Sequence, residues 1–271
     1  MTDISIVTVG MNHLKYLKPL LESIFEINST TLSFEIIYVD NCSQDESLEY
    51  IKLHYPQVIT IANEKPLGFG ENNNKGVNVA TGKYIAIINP DIVLIKDSLH
   101  KLYDFAEKLN SKAILAPQLL NPDLSLQYSA RRFMTLKIFL TRLITKGKDD
   151  VNNKIIEDYL FRNIKADKIQ YVDWIIGAAM FMKKDTYNQL KGFDQSYFLY
   201  VEDEDFCLRA WKSKIPVIYY PDSKMIHNHL RASSQLGKKA FLHFKGVLIF
   251  FLKHGLFVKR KKDVLILDGN I

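Results

Sequence analysis

The apolar run YIAIINPDIVL at 84–94 is interrupted by Asn, Pro and Asp at 89–91. An aspartate that follows a buried strand and a tight turn can present its carboxylate to Mg²⁺ or Mn²⁺, which also binds a diphosphate. Because one carboxylate is a poor cage for a cation, the other ligands must come from substrate phosphates or from a histidine elsewhere in the chain. His227 and His229 are candidates for that histidine, and a packed or surface position is the alternative for each.

Four acidic residues occur together in VEDEDFCLRAW, at 202–205. One interpretation is structural, because acids stabilise a helix amino terminus and Asp205 can pair with Arg209 four residues later. The preceding FDQSYFLY is apolar and aromatic, which indicates a partly buried environment and not a solvated face. Clustered carboxylates raise one another's pKa, and this suits a general base. The segment is therefore a candidate for proton abstraction.

Strand-like runs alternate with helical patterns over the first 95 residues. ISIVTVG, FEIIYVD, VITIAN and the run at 84–94 are typical of strands, and apolar residues at helical spacing follow the first of them. This alternation predicts an α/β fold with a mostly parallel sheet flanked by helices. Ligands bind beyond the carboxyl ends of such strands, where Thr8–Asn12, Asp40, Gly68–Gly70 and Asp91 fall. Each position alone is compatible with a turn, whereas their common edge favours a ligand site.

Composition sets limits on the class of protein. The 271 residues are 47% hydrophobic and 24% charged, so the chain can bury a sizeable core. The formal net charge of +6 favours anionic partners such as nucleotides, phospholipid headgroups or nucleic acid. Cys42 and Cys207 show no metal-ligand spacing, which fits a reducing cytoplasm. We expect neither an export signal nor a spanning helix, since no run of about 18 apolar residues occurs.

Two regions are harder to interpret. From about Leu115 to Ile169 the periodicity weakens, with a possible strand AILAPQLL and a basic segment SARRF. The tail from Lys238 to Lys262 mixes phenylalanines and aliphatic residues with many basic residues over a length that suits a helix. One interpretation is a helix that covers the core. The other is a peripheral contact with an anionic membrane surface.

The ordered set VDNCSQDES, GFGENNNKG, NPD, GFDQSYFLYVEDEDFCLR and HNHLRASS resembles the family 2 inverting glycosyltransferases, especially their bacterial rhamnosyltransferase-like branch. The likeness covers roughly residues 4 to 250. It implies a GT-A fold over 1–237, with a nucleotide-sugar-binding half at 1–95 and an acceptor and catalytic half at 96–237. Residues 238–271 would form a basic and apolar carboxyl-terminal helical tail.

The resemblance also implies roles for single residues. Asp91 matches the last acid of the Asp-x-Asp metal motif, whose first acid is replaced here by Asn89, and His229 best matches the metal-associated histidine. Within the Glu202-Asp203 pair the family uses the aspartate as base. Residues that the resemblance assigns to donor binding are Thr8, Asn12, Asp40, Gly68, Asn74, Asn89 and Asp91. Residues that it assigns to the walls of the sugar and acceptor site are Trp174, Gly177 and Arg231, although Trp174 and Gly177 are also compatible with core packing.

The function implied by this resemblance is inverting transfer of a sugar from a nucleoside-diphosphate sugar, either dTDP-rhamnose or a UDP-hexose. The acceptor would be a hydroxyl of a glycan or a lipid-linked glycan in surface polysaccharide synthesis, at the inner face of the plasma membrane and without nucleic acid as a partner. A sugar nucleotidyltransferase and a non-catalytic carbohydrate-binding scaffold are the alternatives. A nicotinamide oxidoreductase is disfavoured, because TVGMNHL follows the first strand where a glycine-rich turn is needed.

Overall fold

The computed structural model describes residues 2–27, 31–162, 164–228 and 237–259 of the chain. Its strands are β1 Ile4–Gly10, β2 Phe34–Asp40, β3 Ile59–Ala62, β4 Tyr84–Ile88, β5 Ile92–Leu94, β6 Ile114–Leu120, β7 Ala130–Arg131, β8 Gln170–Tyr171, β9 Trp174–Ile175, β10 Ala179–Lys183 and β11 Val217–His227. Its α-helices are α1 Leu14–Glu22, α2 Ser47–His54, α3 Phe69–Val79, α4 Ser98–Leu109, α5 Leu136–Ile144, α6 Lys154–Tyr159, α7 Lys184–Gln189, α8 Glu202–Lys212 and α9 Lys238–His254.

The large sheet begins with parallel strands, as the sequence predicts. Its order is β3-β2-β1-β4-β10-β6-β11-β5, and β8 pairs with β11. β1 runs parallel to both β2 and β4, and β2 runs parallel to β3. Consecutive β-α-β units therefore bring the carboxyl ends of β1, β2 and β4 to one edge.

The second half of the sheet is mixed. β10 runs antiparallel between β4 and β6, β11 runs parallel to β6, and β5 closes the edge antiparallel to β11. A separate two-stranded ribbon joins β7 to β9. Strands from 1–95 and from 96–237 thus share one sheet, and the division into a nucleotide half and an acceptor half stays a prediction about function.

The core lies on both faces of this sheet, because alternate residues of each strand point to opposite faces. On β1, Ile4 and Ile6 pack with α1 and α4, whereas Val7 packs on the opposite face with α3, α8 and α9. Helices thus cover both faces, and the loops at the strand ends are left to form a site.

Candidate active site

The ends of β1 and β2 are held together by side chains of the loops that follow them. Asp40, the last residue of β2, is 2% exposed, and its carboxylate accepts hydrogen bonds from the backbone N–H of Ser43 at 3.0 Å and from the Tyr38 hydroxyl at 3.3 Å. Asn12, in the left-handed region with φ 58°, accepts from the N–H of Gln44 at 2.6 Å. The loop after β2 therefore donates hydrogen bonds to both Asp40 and Asn12, two of the predicted donor-binding residues.

Thr8 lies in β1 two residues before its end and is fully buried. Among the residues that the structure describes, its hydroxyl oxygen is one of the buried polar atoms without a hydrogen-bond partner. A buried hydroxyl in that state is costly unless a ligand or water satisfies it. The Thr8 hydroxyl can therefore form a hydrogen bond with a ligand, as its predicted role in donor binding requires.

Gly68 and Asn74 contact the segment that leads to α8. A Cβ at Gly68 would lie 2.6 Å from the carbonyl oxygen of Phe198, so glycine permits α3 to begin against that segment. Asn74 donates to the carbonyl of Phe193 at 2.8 Å and accepts from its N–H at 2.9 Å. These contacts indicate that both residues position the chain around the site, while direct donor binding by them stays a prediction.

Asp91 lies within a tight turn between β4 and β5. The N–H of Ile92 donates to the carbonyl of Asn89 at 3.1 Å, and the N–H of Asn89 donates to Ala178 at 2.9 Å. The Asp91 side chain is 20% exposed, and its Oδ2 lies 3.5 Å from Nε2 of His227. Its Oδ1 is buried and has no hydrogen-bond partner among the described residues. The turn thus presents a carboxylate with an unsatisfied oxygen.

The orientation of His227 suits a metal ligand. Its Nδ1 lies 2.6 Å from Oε1 of Gln127, whose own amide nitrogen donates to Asn121 at 3.0 Å. The glutamine oxygen must accept, so Nδ1 carries the proton, and in a neutral imidazole Nε2 is the lone-pair nitrogen facing Asp91. An acceptor nitrogen and a carboxylate facing each other fit a shared divalent cation. Within the described part of the chain no group of three or more His, Cys, Asp or Glu forms a metal site, so substrate oxygens would complete the coordination.

Two of the predicted site residues, His229 and Arg231, lie outside the described residues. Both remain predictions. The histidine that the structure places against Asp91 is His227, the other histidine of the HNH segment.

Asp203 lies in the first turn of α8 and is the least buried of the four consecutive acids. Its Oδ2 accepts from the N–H of Gly177 at 2.9 Å, and its Oδ1 accepts from the N–H of Glu204 at 2.9 Å. A Cβ at Gly177 would lie 3.2 Å from the Phe69 ring and 3.5 Å from the Asp203 Cβ. The absence of a side chain at Gly177 therefore lets its backbone approach Asp203 and hold the carboxylate. The start of α3, the segment before β10 and the start of α8 meet at this point.

The other three acids have different partners. Glu204 accepts from the N–H of Met134, and Asp205 binds Arg209 and His254, both at 2.7 Å. Glu202 is 4% exposed, and its Oε2 has no hydrogen-bond partner among the described residues. The contacts of Glu204 and Asp205 are structural, as the helix-terminus interpretation predicts for Asp205.

Burial changes the proton affinity of this cluster. It raises the pKa of Asp203, and hydrogen bonds from Gly177 and Glu204 oppose that rise. Burial and then repulsion by Asp203 raise the pKa of Glu202 to about 8, and burial raises the pKa of Glu204 well above its usual range. A half-buried carboxylate with a raised pKa and partial access has the properties of a general base.

Arg131 is a site residue that the sequence analysis missed. It lines a cleft of about 530 Å³ together with Ile176, His227 and Asn228. Its guanidinium donates to the carbonyls of Tyr128 and, at 2.8 Å, Ala130, and burial lowers its pKa. A half-buried cation in this cleft is suited to an anionic group of a substrate. The basic segment SARRF indicated positive charge in this region, but the place of Arg131 in the cleft depends on the β7–β9 pairing.

Trp174 supports that pairing from β9. It lies opposite Arg131 in the ribbon, is 8% exposed, and donates its indole N–H to the carbonyl of Arg132 at 2.7 Å. These contacts agree with the interpretation of Trp174 as a residue of the packed core. The role of Trp174 as a wall of the sugar site stays a prediction.

Comparison with known proteins identifies similar chains. Rhamnosyltransferase WbbL of Escherichia coli K12 is 28% identical over 267 residues, which are 95% of this chain and 96% of that protein. The N-acetylglucosaminyl-diphospho-decaprenol L-rhamnosyltransferase of Mycobacterium tuberculosis is 23% identical over 240 residues, 82% of this chain and 76% of that one.

Solved structures share the fold. GalNAc-T7 with UDP, GalNAc and Mn²⁺ superposes with a TM-score of 0.61 at 15% identity, over 89% of this chain and 47% of that one. Residues 1–349 of Staphylococcus aureus TarS with UDP-GlcNAc give 0.58 at 16% identity, over 85% of this chain and 60% of that one. The predicted GT-A fold is thereby confirmed.

The family assignment rests on the sequence itself. The sequence model described as "Glycosyl transferase family 2" matches residues 5–183, which include all of β1 except Ile4, the strands from β2 to β10 and the Asp91 turn. The resemblance found in the sequence, including its rhamnosyltransferase-like character, is confirmed. The chain therefore belongs to glycosyl transferase family 2.

Proposed function

We propose that this glycosyltransferase moves a sugar, with inversion, from a nucleoside-diphosphate sugar to a hydroxyl of a glycan or lipid-linked acceptor. The observation that carries the proposal is the pair of carboxylates. Asp203 is half-buried, is held by two N–H groups and has a raised pKa. Asp91 faces His227 with Oδ2, and its Oδ1 has no hydrogen-bond partner among the described residues. One carboxylate suits proton abstraction and the other suits a cation.

In the proposed reaction Asp203 takes the proton of the acceptor hydroxyl. The acceptor oxygen then forms a bond to the anomeric carbon from the face opposite the nucleotide, and the bond from that carbon to the diphosphate oxygen breaks. The nucleoside diphosphate leaves with the electron pair, and Asp203 carries the proton. The N–H groups of Gly177 and Glu204 hold the carboxylate in place, so the same two hydrogen bonds determine its position and affect its basicity.

The metal proposal assigns Asp91 and His227 as protein ligands of Mg²⁺ or Mn²⁺. Such a cation would neutralise the charge that develops on the departing diphosphate. The Gln127 contact orients His227 and supports this assignment. His229, the ligand that the family resemblance implies, is the alternative. Loss of metal-dependent donor binding in His227→Ala but not in His229→Ala supports the proposal, and the reverse result assigns the role to His229.

The donor proposal is dTDP-rhamnose, with a UDP-hexose as the alternative. It is supported by the names of two relatives, which are rhamnosyltransferases, while the TarS and GalNAc-T7 structures contain UDP or a UDP-sugar. The mycobacterial relative's name includes a lipid diphosphate, and this supports a lipid-linked acceptor. Surface polysaccharide synthesis at the inner face of the plasma membrane is part of the same proposal. Screening donors for metal-dependent hydrolysis without acceptor would identify the nucleotide and the sugar.

The experiment that tests the base is Asp203→Asn. Turnover should fall by about 10²- to 10⁴-fold, the usual contribution of a general base, while calorimetry shows unchanged donor affinity. The turnover of the wild type should rise with pH through a pKa above the ordinary aspartate range, because the raised pKa of Asp203 delays formation of the carboxylate. Near-normal turnover in the variant would transfer the role of base to Glu202.

A further inference from the structure

Helices α5 and α9 lie side by side and both expose apolar residues. The ring of Phe139 in α5 lies 5.8 Å from those of Phe244 and Phe251 in α9. The N–H of Leu136 donates to the carbonyl of Leu256 at 3.1 Å, so the start of α5 is bonded to the segment after α9. The two helices therefore present one continuous surface.

The α9 side of this surface separates into two stripes. Val247 and Phe250 are fully buried and Phe251 is 9% exposed, as expected for a helix that covers the core. Phe241 and Leu252 are 65% and 88% exposed and occupy the outer stripe. The inner stripe fits the interpretation of a helix that covers the core, and the outer stripe is the side that a membrane contact would use.

The α5 side of this surface also exposes apolar side chains. No residue of α5 is buried, and Leu140, Leu143 and Ile144 are 49%, 53% and 82% exposed. Exposed apolar side chains of this number on two adjacent helices form a patch of the kind that marks an interaction surface. We define the α5–α9 face as the exposed apolar side chains of α5, α9 and the segment 255–257.

The two helices of this face carry charge of one sign, while Glu157 and Asp158 share a cleft with Lys137 and Lys259 at its border. Neither LKIFLTRLI of α5 nor KKAFLHFKGVLIFFLKH of α9 contains an acidic residue. Lys137 and Lys245 are exposed on the two helices, and Lys146, Lys148 and Lys259 are exposed close to their ends. An apolar face bordered by lysines complements an anionic lipid interface, in which apolar side chains enter the acyl boundary and cations meet the headgroups.

The face is also connected to the catalytic helix. A Cβ at Gly246 in α9 would lie 3.0 Å from the carbonyl oxygen of Tyr200, two residues before Glu202, so α9 packs directly under the start of α8. His254 at the end of α9 lies 2.7 Å from Asp205 and 2.9 Å from Lys212 of α8. A lipid surface on the outer side of α9 would thus be one helix away from Asp203.

We infer that the α5–α9 face docks the enzyme on an anionic membrane surface, with α5 and α9 both in contact with lipid. The contact that we infer is interfacial, because the exposed apolar residues lie on one side of each helix. In the described part of the chain no helix is long and apolar enough to span a bilayer. The inference rests on exposure, helix contacts and charge, and it is independent of the sugar and of the acceptor.

The test is flotation of the full-length chain with vesicles of phosphatidylcholine alone or with one third phosphatidylglycerol. The wild type should float with the anionic vesicles, and raised salt should weaken this binding. Leu140→Ser, Leu143→Ser and Ile144→Ser combined should lower the partition constant by at least about tenfold, because three apolar side chains no longer enter the interface. Lys137→Gln with Lys245→Gln should lower both the binding and its salt dependence.

A matched control is Leu53→Ser, Leu124→Ser and Val79→Ser combined, which changes three exposed apolar residues elsewhere (76%, 62% and 43% exposed). This control should bind as the wild type does. Donor hydrolysis should be unchanged in both triple variants, which separates this inference from the proposed function. Absence of wild-type flotation, or an α5 variant that binds as the wild type does, overturns the inference. A dimer in sedimentation that the α5 variant converts to monomer, without lipid binding, assigns the face to a second copy of this chain instead.

Discussion

At the scale of single residues, the site depends on two carboxylates in different surroundings. Asp203 is bonded to two backbone N–H groups in a cluster of buried acids, while Asp91 faces a histidine and keeps one oxygen without a partner among the described residues. Position and surroundings, more than residue type, therefore separate the proposed base from the proposed metal ligand.

The turn at Asp91 leads to a prediction about its neighbour. Asp91→Asn removes the carboxylate that we assign to the cation, whereas Asn89→Asp adds a second one at the position that the family resemblance matches to the first acid of the Asp-x-Asp motif. We expect turnover in saturating Mn²⁺ to be nearly lost in Asp91→Asn and largely retained in Asn89→Asp. Titration of activity against Mn²⁺ is the measurement, and equal losses in the two variants would contradict the roles assigned to these residues.

Glu202 allows a prediction about stability and pH. Its pKa in the folded protein is about 8, above the usual 4.5, so the folded state binds this proton more tightly than the unfolded state does. The stability contributed by protonated Glu202 is present below about pH 4.5 and is lost as the pH rises towards 8. Glu202→Gln should therefore reduce the fall in melting temperature between about pH 5 and pH 8.

The control for this variant is Glu64→Gln, which changes an exposed glutamate. Its melting curves should follow those of the wild type at every pH. If Glu202→Gln also follows the wild type throughout, the proton on Glu202 is not linked to folding.

The residue scale also shows what the sequence can predict. Asp40, Asp91 and Asp203 could be found because each follows an apolar run in a short motif that carries its own signal. Arg131 could not, since its place in the cleft results from the pairing of β7 with β9 in a region of weak periodicity. The contacts of Asn74 with Phe193 were also inaccessible, because they join positions 119 residues apart.

At the scale of elements, α3 and the segment before α8 are locked together at Gly68. The Cβ of an alanine there would lie 2.6 Å from the backbone oxygen of Phe198, closer than carbon and oxygen approach, and backbone on both sides limits relaxation. We expect Gly68→Ala to lower the free energy of unfolding by about 1–3 kcal/mol. Turnover should fall as well, since the displaced segment leads to Asp203.

The matched control is Gly237→Ala at the start of α9, where a Cβ would meet nothing within 4 Å among the described residues. Chemical denaturation should show a change of less than about 0.5 kcal/mol there. Comparable losses at both glycines would mean that the contact with Phe198 does not limit the α3 position.

The parallel order of the first four strands followed from the alternation of strand and helix patterns, whereas the antiparallel insertion of β10 between β4 and β6 did not. AMFMK of β10 has the same apolar character as a parallel strand, and direction is set by the long connections before and after it. The predicted strand AILAPQLL is confirmed as β6.

At the scale of the whole molecule, α9 is in contact with the core and with α8, and it forms part of the α5–α9 face. Because its inner residues belong to the same core as α3 and α8, removal of the tail after Gly237 would expose apolar surface as well as delete the face. Truncation therefore cannot separate core packing from membrane contact, and single substitutions on the two sides of α9 can.

Phe250 and Leu252 provide that comparison within one turn of α9. Phe250 is fully buried, so Phe250→Ala should lower the free energy of unfolding by about 3–5 kcal/mol through lost burial and a cavity. Leu252 is 88% exposed, and Leu252→Ala should change it by less than about 0.5 kcal/mol while weakening flotation with anionic vesicles. Denaturant titration and flotation of both variants measure the two effects. Equal destabilisation by the two substitutions would show that the outer side of α9 is also packed in the folded protein, and the lipid face would then have to be assigned to α5 alone.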